Sequence, residues 1–173
     1  SRIAGHDKPS AGKVLIEGEP ISKLPDLCAS ELRAKKIGMI FQHFNLFEHL
    51  SVSENVTVPL IPSGLKMKEI HEKVDEALKV ANIIHKQEVL ASRLSGGEKQ
   101  RTAIARALVA DPNIILCDEP TANLDRDNSL LFIDILGELH HMGKTIVIAT
   151  HDPLFDNLSF ESTVVPMVDG KIV

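Results

Sequence analysis

The 173-residue sequence has no tryptophan and no tyrosine, and phenylalanine alone makes up its 3% of aromatic residues. With a net charge of -5 and no basic cluster standing apart from acidic neighbours, it lacks the electrostatic footprint of a nucleic-acid binder. Cysteine is scarce too. Cys28 and Cys117 are isolated, without the spacing of a metal site or a redox pair, which fits a protein of the reducing cytosol. No apolar run approaches the ~18 residues needed to cross a bilayer, and no secretory leader is visible. Any membrane role is therefore expected to come through a partner. Internal repeats and low-complexity segments are absent as well.

What remains is an ordinary globular composition, 43% hydrophobic, in a length that suits one domain with a sizeable core. Short apolar runs beside turn residues predict strands at 13–18, 37–41, 114–117 and 145–150, the last two read as buried. Residues 2–5 look like a helix end closed by Gly5, residues 9–12 like a turn, and 20–36 includes a polar helical stretch with a start near Pro25. Helical segments are expected at 52–60 and 66–81, where Ile70, Val74, Leu78 and Ala81 recur at helical period and the charges between them form a solvated face. A further helix is predicted at 127–142, with Leu131, Ile135, Leu136 and Leu139 as its apolar face and Gly143 just past its end. Residues 163–173 read as an edge hairpin turning at Asp169-Gly170. His71 and His85 read as surface or boundary residues without ligand spacing, and His140 and His141 as exposed polar residues.

Residues 94–125 organise the chain. Leu94-Ser95-Gly96-Gly97-Glu98 opens a helical stretch to Val109, putting a hydroxyl, bare backbone N–H groups and the positive end of a helix dipole together. That combination suits phosphate oxygens; taken alone, it also describes a capped helix start with flexible glycines. Downstream, Ile114-Ile115-Leu116-Cys117 runs into Asp118-Glu119-Pro120, then Thr121-Ala122-Asn123-Leu124-Asp125. Carboxylates at a strand's C-terminal end lie where open α/β sheets bind ligands. Adjacent Asp118 and Glu119 point different ways, so one can serve Mg²⁺ while the other faces an attacking water.

In this order and at this spacing the motifs resemble the signature, Walker B strand and D-loop of the ABC-transporter ATPases. The resemblance implies an α/β P-loop NTPase fold of ABC type, incomplete at its N-terminus. A core of residues 1–42 and 106–173 would hold a helical subdomain at 43–105. It implies ATP and Mg²⁺ as ligands, with Asp118 on the metal, Glu119 as general base or water anchor, and His151 as the switch histidine on the γ-phosphate. Gln42, after the strand at 37–41, would be the Q-loop glutamine reaching metal and water. Ser95, Gly96, Gly97, Glu98 and Asp125 would meet the nucleotide of a second ATPase subunit in a head-to-tail dimer. A transmembrane permease would dock near residues 42–47, making the protein peripheral on the cytoplasmic face of the membrane.

The resemblance also implies a phosphate-binding loop upstream of Ser1. Gly12-Lys13-Val14 and Gly143-Lys144-Thr145 are the two Gly-Lys pairs that imitate it, and both fail on spacing to the preceding glycine, Gly5 and Gly137. The isolated 173-residue polypeptide is therefore expected to bind no nucleotide. With Glu98 closing the signature and the short ending after Val168-Asp169-Gly170, the chain looks most like the lipoprotein-releasing, macrolide-exporter and cell-division ATPases. The stretch Gly38-Met39-Ile40-Phe41-Gln42-His43-Phe44-Asn45-Leu46 is instead similar to the methionine-importer ATPase. Two other readings stand beside the transport ATPase: a non-catalytic module offering its signature face to an intact partner, and an ABC ATPase outside transport. The separation of 53 positions between Gln42 and Ser95 (95 − 42) leaves no room for the long coiled-coil insertion of the chromosome-maintenance and DNA-repair ATPases.

Overall fold

The computed structural model describes residues 12–20, 35–168 and 171–173. The expected helix end at 2–5, most of the turn at 9–12, residues 21–34 of the polar stretch and the turn at Asp169-Gly170 lie outside them.

The described chain opens on a hairpin, β1 (Leu15–Ile16) paired antiparallel with β2 (Glu19–Pro20). Between them Glu17 and Gly18 have φ of 50° and 83°, the left-handed pair that a two-residue hairpin turn requires. Gly18 thus ends one strand, as expected, and also turns the chain into a second. After β3 (Ile37–Phe41) comes α1 (Val52–Thr57). Ser51 caps it: the hydroxyl accepts from the Glu54 N–H while the Glu54 carboxylate accepts from the Ser51 N–H at 2.7 Å. The α-helix expected to reach residue 60 stops at Thr57 and continues as a tighter turn, Val58–Ser63. Pro59 and Pro62 lack the N–H that would extend the α-helical ladder.

Next come α2 (Met67–Val80) and α3 (Gly96–Leu108). Ile70, Val74 and Leu78 of α2, with Ala81 just after it, are buried as the period predicts. β4 (Ile114–Asp118), α4 (Arg126–His141) and β5 (Thr145–Ala149) follow. On α4 the buried face is Phe132, Ile135, Leu136 and Leu139; Leu131 is 44% exposed. The larger Phe132 takes the core position, which rotates the apolar stripe by one residue. His140 is half-buried rather than exposed, its ring stacked on Phe160 with centroids 5.3 Å apart. Last come β6 (Met167–Val168) and β7 (Lys171–Ile172), an antiparallel pair that forms its own two-stranded ladder.

The central sheet is parallel with order β3-β4-β5. Its register aligns Ile37, Ile114 and Thr145 at one end and Phe41, Asp118 and Ala149 at the other. β4 is buried through Ile115, Leu116 and Cys117. β5, expected to be buried, is not: Val147 is 40% exposed, because among the described residues no strand pairs with its far side. One apolar core runs from Val56, Val74 and Leu78 through Ile104 of α3 to Ile40, Ile115 and Leu136. α3 therefore joins α1 and α2 to the sheet. It lies so close to β3 that a Cβ on Gly38 would sit 2.5 Å from the Ala107 carbonyl oxygen.

Candidate functional site

Because the three parallel strands end in register, the residues at and just past their ends are brought together. These are Gln42, Asp118 with Glu119, and Thr150 with His151. Sequence-predicted Gln42, Asp118, Glu119 and His151 thus share one sheet edge, as ligand-binding residues do in open α/β sheets. Asp118, the last residue of β4, is exposed and has no side-chain partner among the described residues. Glu119 adopts φ 44°, and its N–H donates to the Ala149 carbonyl at 2.9 Å, which fixes the side chain just beyond the ladder.

Both oxygens of the Glu119 carboxylate are engaged. His151 Nδ1 lies 2.8 Å from Oε1, and the Thr150 hydroxyl donates to Oε2 at 3.2 Å. Burial pushes this carboxyl up, but the hydrogen bonds from His151 and Thr150 outweigh it and hold the group below the usual carboxylate range. The same contact, reinforced by the Glu119 charge, raises the His151 imidazole above its ordinary value. Thr150 also accepts from the Asp152 N–H at 3.0 Å, and Asp152 accepts from the buried Thr121 hydroxyl at 2.6 Å. That hydrogen bond, followed by one from the Leu154 N–H, keeps the Asp152 carboxyl ionised at lower pH than usual. The turn after Glu119 is therefore tied to the turn after β5 by side chains the sequence did not single out as site residues.

The remaining expected residues cluster at the starts of α3 and α4. Ser95 caps α3, its hydroxyl accepting from the Glu98 N–H, and is exposed together with Gly96. The Glu98 carboxylate turns back to accept from the Ser95 N–H at 2.8 Å and pairs with Lys86 at 3.1 Å. The Ser95 N–H bond is the main reason its carboxyl is held below the usual range. Gly97 is buried under the Asn128 side chain. Asp125 caps α4, and the N–H and side-chain amide of Asn128 lower its carboxyl. The two clusters meet at the turn between them. Gln100 of α3, fully buried, donates to the Pro120 carbonyl at 2.8 Å, and Asn123 donates to the Gln42 carbonyl at 2.8 Å.

Sequence reasoning also missed Arg106. Its guanidinium reaches from the last turn of α3 to the carbonyls of Phe44 and Asn45, at 2.7 and 2.5 Å. Those residues have φ of 49° and 52°, a left-handed pair separated from Gln42 by His43 alone. Nothing local in the sequence signals a contact spanning some 60 residues; only the cation in an otherwise apolar helix end hints at it.

No group of three or more His, Cys, Asp or Glu able to hold a metal occurs among the described residues. One uncommitted carboxylate, Asp118, suits a hard cation that takes its other oxygens from phosphate and water, as Mg²⁺ does. The sheet edge thus carries an open carboxylate, a held carboxylate and a histidine, groups able to bind a cation and to accept a proton.

The profile of the family described as "ABC transporter" matches residues 1–122. The chain belongs to the ABC transporter family. An uncharacterised ABC transporter ATP-binding protein of Thermotoga maritima is 40% identical over 166 residues, covering 96% of this chain and 70% of that protein. The macrolide export ATP-binding/permease protein MacB of Chlorobium luteolum is 42% identical over 167 residues, 96% of this chain but 25% of its own length. Among solved structures, a dimeric bacterial ABC transporter cassette is 38% identical with a TM-score of 0.77, over 86% of this chain and 66% of that one. The same cassette in a post-hydrolysis state with ADP and Pi also gives 38% and 0.77, over 87% and 67%. As an ABC ATP-binding domain the chain has the P-loop NTPase fold of these cassettes and spans about two thirds of their length. Among the described residues no helix is long and apolar enough to cross a membrane.

Proposed function

We propose that this chain is part of the ATP-binding and hydrolysing subunit that powers an ABC transporter. The observation that carries the reading is the strand register, which gathers Gln42, Asp118, Glu119 and His151 at one sheet edge. In this reading Asp118 holds Mg²⁺, which when bound neutralises charge on the ATP phosphates. Glu119 accepts the proton of the attacking water, and its lowered pKa keeps it ionised for that task. His151 holds the Glu119 carboxylate in place and faces the γ-phosphate, while the Gln42 amide reaches the water and metal. Ser95, Gly96, Gly97, Glu98 and Asp125 serve the nucleotide of a second subunit, docked head to tail. Glu98 and Asp125 would act by shaping the helix starts they cap, since both carboxylates are committed there. Two comparisons support the pairing: one similar cassette is dimeric, and MacB joins an ATP-binding part to a permease.

We further assign residues 43–105 as the helical subdomain, with a permease docking at 42–47 and holding the subunit at the cytoplasmic face of the membrane. No Gly-rich phosphate loop occurs within the 173 residues. Hydrolysis is accordingly assigned to the full-length protein, and the isolated 173-residue polypeptide is assigned no nucleotide affinity of its own. The test is Glu119→Gln in the full-length protein. Phosphate release should fall ~10²-fold or more, the usual scale for removing a general base, with MgATP affinity retained. Turnover at the parent rate would overturn the assignment.

A further inference from the structure

The first turn of α3 and the first turn of α4 meet at the Asn128 side chain. A Cβ on Gly97 would lie 1.9 Å from Asn128 Oδ1 and 2.3 Å from its Cγ. The Asn128 side chain therefore fills the space that any other residue at 97 would need. From there its amide works in two directions. Nδ2 donates to both oxygens of Asp125, at 2.9 and 3.0 Å, and Oδ1 accepts from Arg101 Nη1 at 3.2 Å. Arg101 is one turn along α3 from Gly97, so Asn128 spans from the signature helix to the cap of α4. Only an amide of this length suits the position. It needs a donor towards a carboxylate and an acceptor towards a guanidinium on one short planar group. Aspartate would match the shape but set a second carboxylate against Asp125, and alanine would reach neither partner.

Resting on the functional reading above, in which Ser95–Gly97 and Asp125 both face the partner subunit's nucleotide, we propose that Asn128 is a positioning residue. It latches the start of the signature helix to the Asp125 turn within one chain, so that both motifs approach the partner as one rigid piece. Asn128 itself touches no nucleotide.

The experiment uses the full-length protein in a Glu119→Gln background and measures MgATP-induced dimerisation by light scattering over a range of protein concentrations. Asn128→Asp and Asn128→Ala are compared with the parent. Both should raise the concentration for half-maximal dimerisation at least tenfold. MgATP affinity of the monomer should stay within about twofold, because no cis nucleotide contact changes. Asn128→Asp keeps the packing over Gly97 and places an acid in the first turn of α4, where the helix dipole favours it. The carboxylate also strengthens the bond from Arg101, which offsets its repulsion from Asp125, so the thermal midpoint should stay near that of the parent. Dimerisation of Asn128→Asp at parental concentrations would overturn the latch, showing that filling space over Gly97 is all the side chain does. A parallel loss of monomer MgATP affinity, or of thermal stability, in Asn128→Asp would also overturn it. Failure of the Glu119→Gln parent to dimerise with MgATP would strike the functional reading itself, and the latch with it.

Discussion

Arg106 of α3 holds the start of the loop after Gln42, and Arg106→Met isolates that contact. Methionine keeps the aliphatic stem and removes both guanidinium bonds, to Phe44 O and Asn45 O. The Phe44 bond is part-buried, and a charged hydrogen bond of that kind contributes about 1.5–3 kcal/mol. The Asn45 bond is exposed, so water replaces most of it. Against these losses stands the left-handed backbone of Phe44 and Asn45, which costs about 1–2 kcal/mol per residue. Released from Arg106, the loop recovers much of that strain by opening locally, so global stability should fall by no more than about 1–2 kcal/mol. The opening has a sharp limit. Buried Asn55 accepts from the Phe47 N–H at 2.8 Å and donates to the Phe47, Leu50 and Ser51 carbonyls, so residues from Phe47 onward stay fixed. Amide exchange followed by NMR should show the Phe44 N–H, now bonded to Phe41 O, exchanging at least tenfold faster in the variant. Tenfold corresponds to about 1.4 kcal/mol. The Phe47 amide should be unchanged. Unaltered protection at Phe44, or equal acceleration at Phe44 and Phe47, would refute the reasoning.

Two further outcomes follow from single contacts. Gly38→Ala places a Cβ 2.5 Å from the Ala107 carbonyl. Because that atom is backbone, the helix must shift, and urea unfolding should show a loss of about 1–3 kcal/mol, the scale of overpacking. The His151–Glu119 contact raises the imidazole and lowers the carboxyl. It is complete between their ordinary values of 4.5 and 6.5, and is lost as pH rises through the raised His151 value or falls through the lowered Glu119 value. An NMR titration should place the His151 midpoint above 6.5, moving back towards it in Glu119→Gln; a midpoint that ignores the substitution would show that another group, such as neighbouring Asp152, sets it.

What was legible in the sequence was whatever depends on near neighbours. The 3.6-residue period of Ile70, Val74 and Leu78, the apolar run before Asp118 and the cap at Ser95 are all local patterns, and each appears where the residues indicated. Errors arose where a local pattern needs a tertiary partner to decide it. An apolar run predicts burial for β5, but burial depends on what pairs with its far edge. A helical stripe containing both Leu131 and Phe132 leaves the choice of core residue to packing, and the larger ring won. The site shows the same division more strongly. Glu119 and His151 announce themselves, but the groups that hold them do not. Thr121 reaches Asp152 across 31 positions, Arg101 reaches Asn128 across 27, and Arg106 reaches Phe44 across 62. These side chains are ordinary in their own segments and acquire meaning only when the parallel register brings distant turns together. In such a site the residues proposed to react are read from motifs, whereas the surrounding geometry rests on long-range polar contacts that no motif contains. Substitutions at Arg106 and Asn128 should accordingly change loop geometry and subunit pairing although no motif residue is itself replaced.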